Sequence, residues 1–578
     1  MNKIEALRRV MEKEGVAALL IPRTDEFQGE YIAPCSERLK WLTGFTGSAG
    51  FAVITREKSA FFTDGRYTLQ AKEQIPSFYE LYNITQKTPS EWVSENLLRD
   101  EKGGYDPWLF TEAQLQRFER PLIPLKSNPI DALWTDQPPP PKDFVRLHPL
   151  KYAGESDENK RHRIVKNLKA DTVLITACDS IAWLLNIRGN DVPHTPIVQC
   201  VCLLHKDGSY DFFVDLDKIN AQVFNHLKHG KGRAVDIHQL LHHLQKMEGS
   251  CQLDPQTAPV ILIQTLEKKG LNIIRERDPC LLPKSLKNEI ELQGARAAHI
   301  QDGIALCSFL EWLESQPLRG ETTELSAAQK LYEFRSVGQH FEDLSFGTIS
   351  GFGPHGAIIH YQATPESNIP LTRDGLYLVD SGGQYLTGTT DVTRTIALGT
   401  PTHEQKDRYT RVLKGHIALA TATFPFGTTG AQLDALARQY LWEAGCDYDH
   451  GTGHGVGSYL SVHEGPQGIS KRGTDIPLKP GMILSNEPGY YKEGEYGIRI
   501  ENLVRVIESA EFKDFYEFET LTLMPLDLNL INVSLLTEQE KAWIHSYHER
   551  IIKTLSSQLT IETKTWLEKT LGLHTKNG

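Results

Sequence analysis

The sequence predicts a mixed α/β protein of several domains, with α+β character in its last large region. Three observations carry that prediction. The chain has 578 residues, several times the roughly 100–200 of a single domain. Its first half runs through the same succession of helix-like and strand-like segments twice, as two similar α/β units would. Between the copies stand four consecutive prolines, Pro138 to Pro141, a stiff and extended linker.

In the first copy, MNKIEALRRVMEKEG interleaves charges with apolar residues and reads as an amphipathic helix. It has no uninterrupted apolar core, so it does not read as a signal peptide. Residues 16–21 (VAALLI) follow as a buried strand, then the apolar runs 41–45, 50–54 and 59–64. The second copy repeats the order: a charged helix over 158–168, a strand at 171–175, then 183–187, 197–204, a Lys-Asp-Gly turn and 210–215.

Composition excludes several classes of function. Hydrophobic residues at 40% and charged ones at 24% are ordinary for a soluble globular protein. A net charge of −12 without a basic block argues against a nucleic-acid binder. No stretch approaches the roughly 18 apolar residues of a membrane span. The eight cysteines (35, 178, 200, 202, 251, 280, 307, 446) show no CxxC spacing, so a reducing cytoplasm is expected rather than a disulfide framework. Cys200 and Cys202 share one face of an apolar run and read as packing residues.

A third region begins near Pro283. Its opening helix carries Ala297, Ile300, Ile304, Cys307 and Leu310 along one stripe, read as core-facing. GFGPHG at 351–356 marks a loop and residues 357–361 a short strand. After about Met524 comes a tail with an amphipathic helix near 537–554, which could pack on the preceding region or pair protomers.

The chemistry lies between residues 376 and 504. Asp380, Asp391, His454, Glu487 and Glu501 are metal ligands by type. Four carboxylates and one imidazole suit two oxygen-preferring divalent cations, of the Mn²⁺, Co²⁺ or Zn²⁺ kind. Asp380 ends one apolar run and Asp391 opens another, so a strand, a turn and a return strand can bring them together. Glu487 and Glu501 repeat the device, and in the run 498–501 Arg499 and Glu501 share one face. His454 sits in GTGHGVG, where flanking glycines let backbone approach the ring; the spacing fails the dinucleotide fingerprint. Each residue alone would read more plainly as a turn, cap or surface residue. The ordered set D-x10-D, HGTGHG, NEPG and RIEN is far more specific.

That set resembles the pita-bread metallopeptidases: methionine aminopeptidase, prolidase and aminopeptidase P. Further segments, EYIAPCSERLKWLTGFTGSAG, TDGRY, SVHEGPQGIS and the tail from MPLDLNLINV, resemble the long three-domain form of the aminopeptidase P (Xaa-Pro aminopeptidase) family over nearly the whole chain. The resemblance implies two creatinase-like α/β domains (1–140 and 141–283), a pita-bread catalytic domain (284–524) and a short helical extension (525–578). It implies that Asp380 chelates one ion, that His454 and Glu487 hold the other, and that Asp391 and Glu501 bridge both. A hydroxide between the ions would attack the scissile carbonyl.

It further implies that His360, His450 and His463 handle protons or stabilise the carbonyl, with His360 and His463 touching substrate. Arg499 would orient Glu501, and Arg66 of TDGRY would reach the substrate. The implied activity is release of the first residue from peptides with proline second, by a cytoplasmic homodimer with two Mn²⁺, Co²⁺ or Zn²⁺ ions per chain. Neither nucleic acid nor membrane is an expected partner. Prolidase, a metal-free creatinase-like hydrolase and an inactive peptide-binding relative are the alternatives. The last two would be marked by lost ligands, and none is lost.

Overall fold

Helix α1 (Lys3–Glu14) places Ile4, Leu7 and Met11 on one stripe, and all three are buried. The computed structural model describes residues 3–571. The chain divides into two compact units, Met1–Leu281 and Leu282–Gly578.

The first unit contains two six-stranded sheets. In the first, β1 (Ala18–Pro22), β2 (Phe51–Thr55), β3 (Ser59–Thr63), β4 (Glu80–Asn83), β5 (Gly103–Tyr105) and β6 (Leu122–Pro124) lie in the order β4-β3-β2-β1-β5-β6. After the charged helix α2 (Asp157–Val165), the second sheet comprises β7 (Thr172–Ile175), β8 (Val201–His205), β9 (Tyr210–Val214), β10 (Gly232–Asp236), β11 (Ser250–Leu253) and β12 (Asn272–Arg275). Its order, β10-β9-β8-β7-β11-β12, is the same permutation. The senses match too: the central strand pairs antiparallel on one side and parallel on the other in both sheets. Central strands β1 and β7 are buried along their whole length, as a strand covered on both faces must be.

The apolar runs 41–45 and 183–187 are not strands, apart from Ile187, which opens the two-residue strand Ile187–Arg188. Each closes a helix, Arg38–Thr43 and Cys178–Leu185, through a left-handed residue: Gly44 at φ 82° and Asn186 at φ 51°. The four prolines carry neither helix nor strand. All eight cysteines are free thiols, and Cys200 and Cys202 are buried.

In the second unit, α3 (Glu289–Ser315) starts at a capping box, with Asn288 accepting from Glu291 N–H and the Glu291 carboxylate accepting from Asn288 N–H. Of the stripe expected, Cys307 and Leu310 are buried and Ile300 and Ile304 pack against the core, but the buried face is broader and partly polar. Ala297 is exposed, while His299 and Asp302 are buried beside Leu306, Phe309 and Leu313. Asp302 can go inside because Arg335, from α4 (Glu324–Ser336), donates to both its oxygens and Tyr385 donates to one.

Two antiparallel sheets position the candidate site. The first is β13 (Ile349–Phe352), β14 (Leu376–Ser381) and β15 (Val392–Ala397). The second has β16 (Phe424–Pro425), β17 (Gly453–Gly455), β18 (Glu464–Ile469), β19 (Ile483–Asn486), β22 (Asn502–Glu508) and β23 (Phe515–Thr520), in the order β16-β23-β22-β19-β17-β18. A two-stranded ribbon, β20 (Gly489–Lys492) with β21 (Tyr496–Arg499), lies between β19 and β22 in sequence. Residues 357–361 do not form the expected strand. Gly353–Ala357 is a 3₁₀ turn, and a second turn follows in which Tyr361 N–H bonds Ile358 O. The Ile359 carbonyl accepts instead from Arg499 at 3.3 Å.

Helices α5 (His403–Ala420) and α6 (Gly430–Trp442) precede the tail. There α7 (Glu538–Leu555) starts at a Thr537–Glu540 capping box. Its stripe Ile544, Tyr547, Ile551 and Leu555 packs into the same core as Tyr409, Val412 and Leu413 of α5. Each fully buried aliphatic side chain there contributes about 1.5–3 kcal/mol. The tail therefore packs on the region that precedes it within the second unit.

Candidate metal centre

The hairpin β14–β15 sets Asp380 opposite Thr393 and Ser381 opposite Val392. Asp391, one residue before β15, therefore stands diagonal to Asp380 rather than directly across from it. Both carboxylates are buried.

His454 lies at the centre of β17, pressed between β18 and β19. The flanking glycines are required by that packing. A Cβ on Gly453 would meet Ser485 O at 2.0 Å, and one on Gly455 would meet Glu464 O at 2.1 Å. His454 Nδ1–H donates to Gly455 O at 3.0 Å, which leaves Nε2 facing Asp391 Oδ2 at 3.4 Å and Glu487 Oε1 at 3.5 Å. Glu487 follows β19 directly. The Ser485 hydroxyl accepts from His454 N–H and donates to Glu487 Oε1, so one side chain fixes both ligand candidates.

Glu501 falls in the break between β21 and β22, not within a strand. Its N–H bonds Thr393 O, and its Oε2 accepts from the Thr393 hydroxyl at 2.7 Å. Arg499, also buried, donates from Nη2 to Asp380 Oδ2 at 2.8 Å, from Nε to Thr393 Oγ1 at 3.1 Å and from Nη1 to Tyr491 OH at 2.7 Å. It is thus bonded to Asp380, and reaches Glu501 only through Thr393.

Ligand atoms of Asp391, His454 and Glu501 lie within 4.8 Å of one another. Asp380 Oδ1, Asp391 Oδ1 and Glu501 Oε1 are buried and have no protein partner. Buried carboxylate oxygens are ordinarily satisfied, so three orphans in one acidic cluster fit a site made for cations. The donor set, oxygens with one nitrogen, suits Mn²⁺, Co²⁺ or Zn²⁺.

Electrostatics point the same way. Burial pushes the Asp380 carboxyl up to about 7, against the pull of Arg499 and with help from Asp391 and Glu487. Glu501 is raised well above the carboxylate range by burial and by its three acidic neighbours. Burial also raises Glu487, although His454 and Arg499 oppose it. For His454 burial disfavours the charge, but the Asp391 hydrogen bond and the Glu487 charge prevail and push it up to about 9. Without cations the cluster holds protons to relieve its own repulsion.

Of the other candidates, half-buried His463 packs its ring edge-on to His454, 4.4 Å between centroids. His450 donates from Nδ1 to Gly451 O and accepts the Tyr491 hydroxyl proton at Nε2, 2.8 Å each, so Tyr491 and Arg499 link it to Asp380. His360 is half-buried in the turn beside Ile359. Arg66 belongs to the first unit, where it forms a two-bond pair with Asp64 at 2.9 and 2.8 Å. Sequence reasoning missed Thr393, Ser485 and Tyr491. Only Thr393 left a signal, two positions after Asp391 on the same face of a strand.

A probable Xaa-Pro aminopeptidase P of Aspergillus niger is 39% identical to this chain over 98% of each. The chain belongs to the Xaa-Pro aminopeptidase family. Aminopeptidase P2 of Arabidopsis thaliana, another member, is 40% identical over 98% of this chain and 87% of its own length. By segment, residues 3–133 and 136–291 each match the creatinase/prolidase N-terminal domain. Residues 293–508 match metallopeptidase family M24, and 514–571 the C-terminal region of that peptidase. The X-prolyl aminopeptidase of Caenorhabditis elegans, a cytosolic enzyme with a di-nuclear active site, superposes with a TM-score of 0.92 at 34% identity, covering 96% of this chain and 95% of its own. A prolidase from Pyrococcus horikoshii, 22% identical with a TM-score of 0.50 over 64% of this chain and 99% of its own, shares the fold. Two creatinase-type domains ahead of a pita-bread domain are thus the architecture of this Xaa-Pro aminopeptidase family member. No helix of the described residues is long and apolar enough to cross a membrane.

Proposed function

We propose that this chain is a metal-dependent aminopeptidase that releases the N-terminal residue from peptides with proline in second position. The observation that carries the proposal is the trio of buried, unpartnered carboxylate oxygens on Asp380, Asp391 and Glu501, with ligand atoms of Asp391, His454 and Glu501 within 4.8 Å of one another. In this proposal Asp380, Asp391, His454, Glu487 and Glu501 hold two divalent cations, most simply Mn²⁺ given the oxygen-rich donor set. Bound there, the cations would make a water nucleophilic at neutral pH and polarise the scissile carbonyl.

The chain's own residues hold that centre. Gly455 O fixes the His454 ring with Nε2 inward, Thr393 holds Glu501, and Arg499 balances Asp380. The proline nitrogen carries no hydrogen in the peptide, so its departure as an amine requires a delivered proton. Half-exposed His463 and His360 are proposed for proton delivery and carbonyl stabilisation, and His450 for proton handling behind Tyr491. Arg66 is proposed as a substrate-binding residue, which Arg66→Ala tests through KM. The same proposal divides the chain into domains 1–140, 141–283, 284–524 and 525–578. It takes the protein as a homodimer on the family resemblance, and as cytoplasmic because the C. elegans relative is cytosolic.

The test is hydrolysis of Arg-Pro-Pro against the dipeptide Arg-Pro. Release of arginine from the tripeptide supports the proposal. Cleavage of the dipeptide alone would make the chain a prolidase instead.

A further inference from the structure

Three residues on the strands next to the ligand candidates enter one buried network that ends on the C-terminal helix. Arg394 follows Thr393, Asn486 precedes Glu487, and Asn502 follows Glu501; all three are buried. Arg394 donates to Glu501 O at 2.6 Å, Thr393 O at 2.8 Å, Asn502 Oδ1 at 2.8 Å, Met524 O at 2.6 Å, Pro525 O at 3.0 Å and Tyr547 OH at 2.9 Å. The Tyr547 hydroxyl lies 3.2 Å from Asn502 Oδ1 and donates among it, Thr522 O and Met524 O.

On the far side His416 closes the network. Its Nδ1 donates to Asn486 O at 3.1 Å, and its Nε2 accepts from Asn502 Nδ2 at 3.1 Å. Asn486 Nδ2 returns a bond to His416 O at 2.9 Å. Helix α7 covers this ring: Trp543 meets His416 edge-on at 5.9 Å and stacks on Tyr547 at 5.3 Å. Residues i and i+4 of one helix thus seal the network.

We propose that Tyr547 is a positioning residue of the metal centre, acting through Arg394 and Asn502 on the backbone that carries Glu501. Glu501 sits in a break between strands; its N–H bonds Thr393 O, and Arg394 bonds its carbonyl directly. The Tyr547 ring packs in the core, and its hydroxyl is placed in addition at the point where Arg394, Asn502 and the 522–524 backbone converge, which a plain core role does not require. Partners that orient metal ligands in this way set affinity, and losing one typically weakens binding 10–100-fold. The C-terminal extension is then part of the metal centre's support, resting on the function proposed above.

The test is calorimetric titration of the metal-stripped full chain with Mn²⁺. Tyr547→Phe keeps the ring and the Trp543 stack and removes only the hydroxyl. The expected result is affinity about tenfold weaker, with KM for Arg-Pro-Pro unchanged when Mn²⁺ is saturating. Ile551→Val, a core change in the same helix, is the comparison and is expected to bind Mn²⁺ as the natural protein does. Should Tyr547→Phe fold poorly, Arg394→Lys, which lacks the guanidinium fork, must show the same loss. Undiminished Mn²⁺ affinity in Tyr547→Phe overturns the proposal, and so does failure of both variants to fold. Failure of the natural protein to bind Mn²⁺ would instead count against the function itself.

Discussion

The Thr393 hydroxyl donates to Glu501 Oε2 at 2.7 Å, across 108 positions of sequence. A hydroxyl on the strand that begins next to one ligand candidate therefore holds another, while Arg499 Nε donates to the same oxygen of Thr393. Thr393→Val keeps the shape and removes the bond. We expect Mn²⁺ affinity to fall about tenfold and metal-free stability to fall by about 1–3 kcal/mol, because Glu501 loses a buried donor. Competition against a fluorescent chelator measures the first and urea unfolding the second.

Arg499 donates to Asp380 Oδ2 at 2.8 Å, and its loss leaves Asp380 buried without that partner. Arg499→Ala should cost the metal-free chain about 3–5 kcal/mol, the range for breaking one side of a buried pair. Urea unfolding with and without Mn²⁺ checks this. The deficit should shrink when the ions are present. A loss under about 1 kcal/mol in the metal-free chain would contradict the role given to Arg499.

Protons and cations compete for the same atoms. In the metal-free chain His454 is pushed up to about 9 and Asp380 up to about 7, so at neutral pH His454 keeps its proton and Asp380 holds one about half the time. Mn²⁺ needs them bare. Its apparent affinity should rise between about pH 6 and about pH 9, with protons released on binding. Calorimetry at one pH in buffers of different ionisation enthalpy reads that release, and zero release would contradict it.

His548 is buried and neutral, held near 3 by burial and the Arg394 charge, and it accepts from Leu526 N–H. A native value below the unfolded one of about 6.5 means the unfolded chain binds the extra proton. Its share of stability is thus present above about pH 6.5 and lost as pH falls toward 3, on the order of 2.5 kcal/mol by about pH 4.5. His548→Gln retains an acceptor and removes the titration. Its melting temperature should fall less between pH 7 and pH 4.5 than that of the natural protein.

The paired α/β units were legible from β1 to β3 and β7 to β9, which are short apolar runs where local pattern suffices. Outer strands such as Gly103–Tyr105 and Gly232–Asp236 are not apolar and were not legible. The ligand candidates were legible as chemistry: acids and one histidine amid glycines that only close packing explains, as Gly453 and Gly455 turn out to need. What stayed hidden depends on distant partners. The polar face of α3 looked wrong for a core until Arg335 and Tyr385 arrived to pair Asp302. Residues 357–361 had a strand's composition, yet Ile359 gives its carbonyl to Arg499. Thr393, Ser485 and Tyr491 are ordinary in sequence and gain their roles only from what folding sets beside them.

The most direct measurement is arginine release from Arg-Pro-Pro by the metal-stripped chain, before and after adding Mn²⁺, with Asp391→Ala alongside. Activity restored by Mn²⁺ in the natural protein and absent from the variant is the expected result. Full turnover by the stripped protein, or by Asp391→Ala, would contradict a centre built on Asp391, His454 and Glu501.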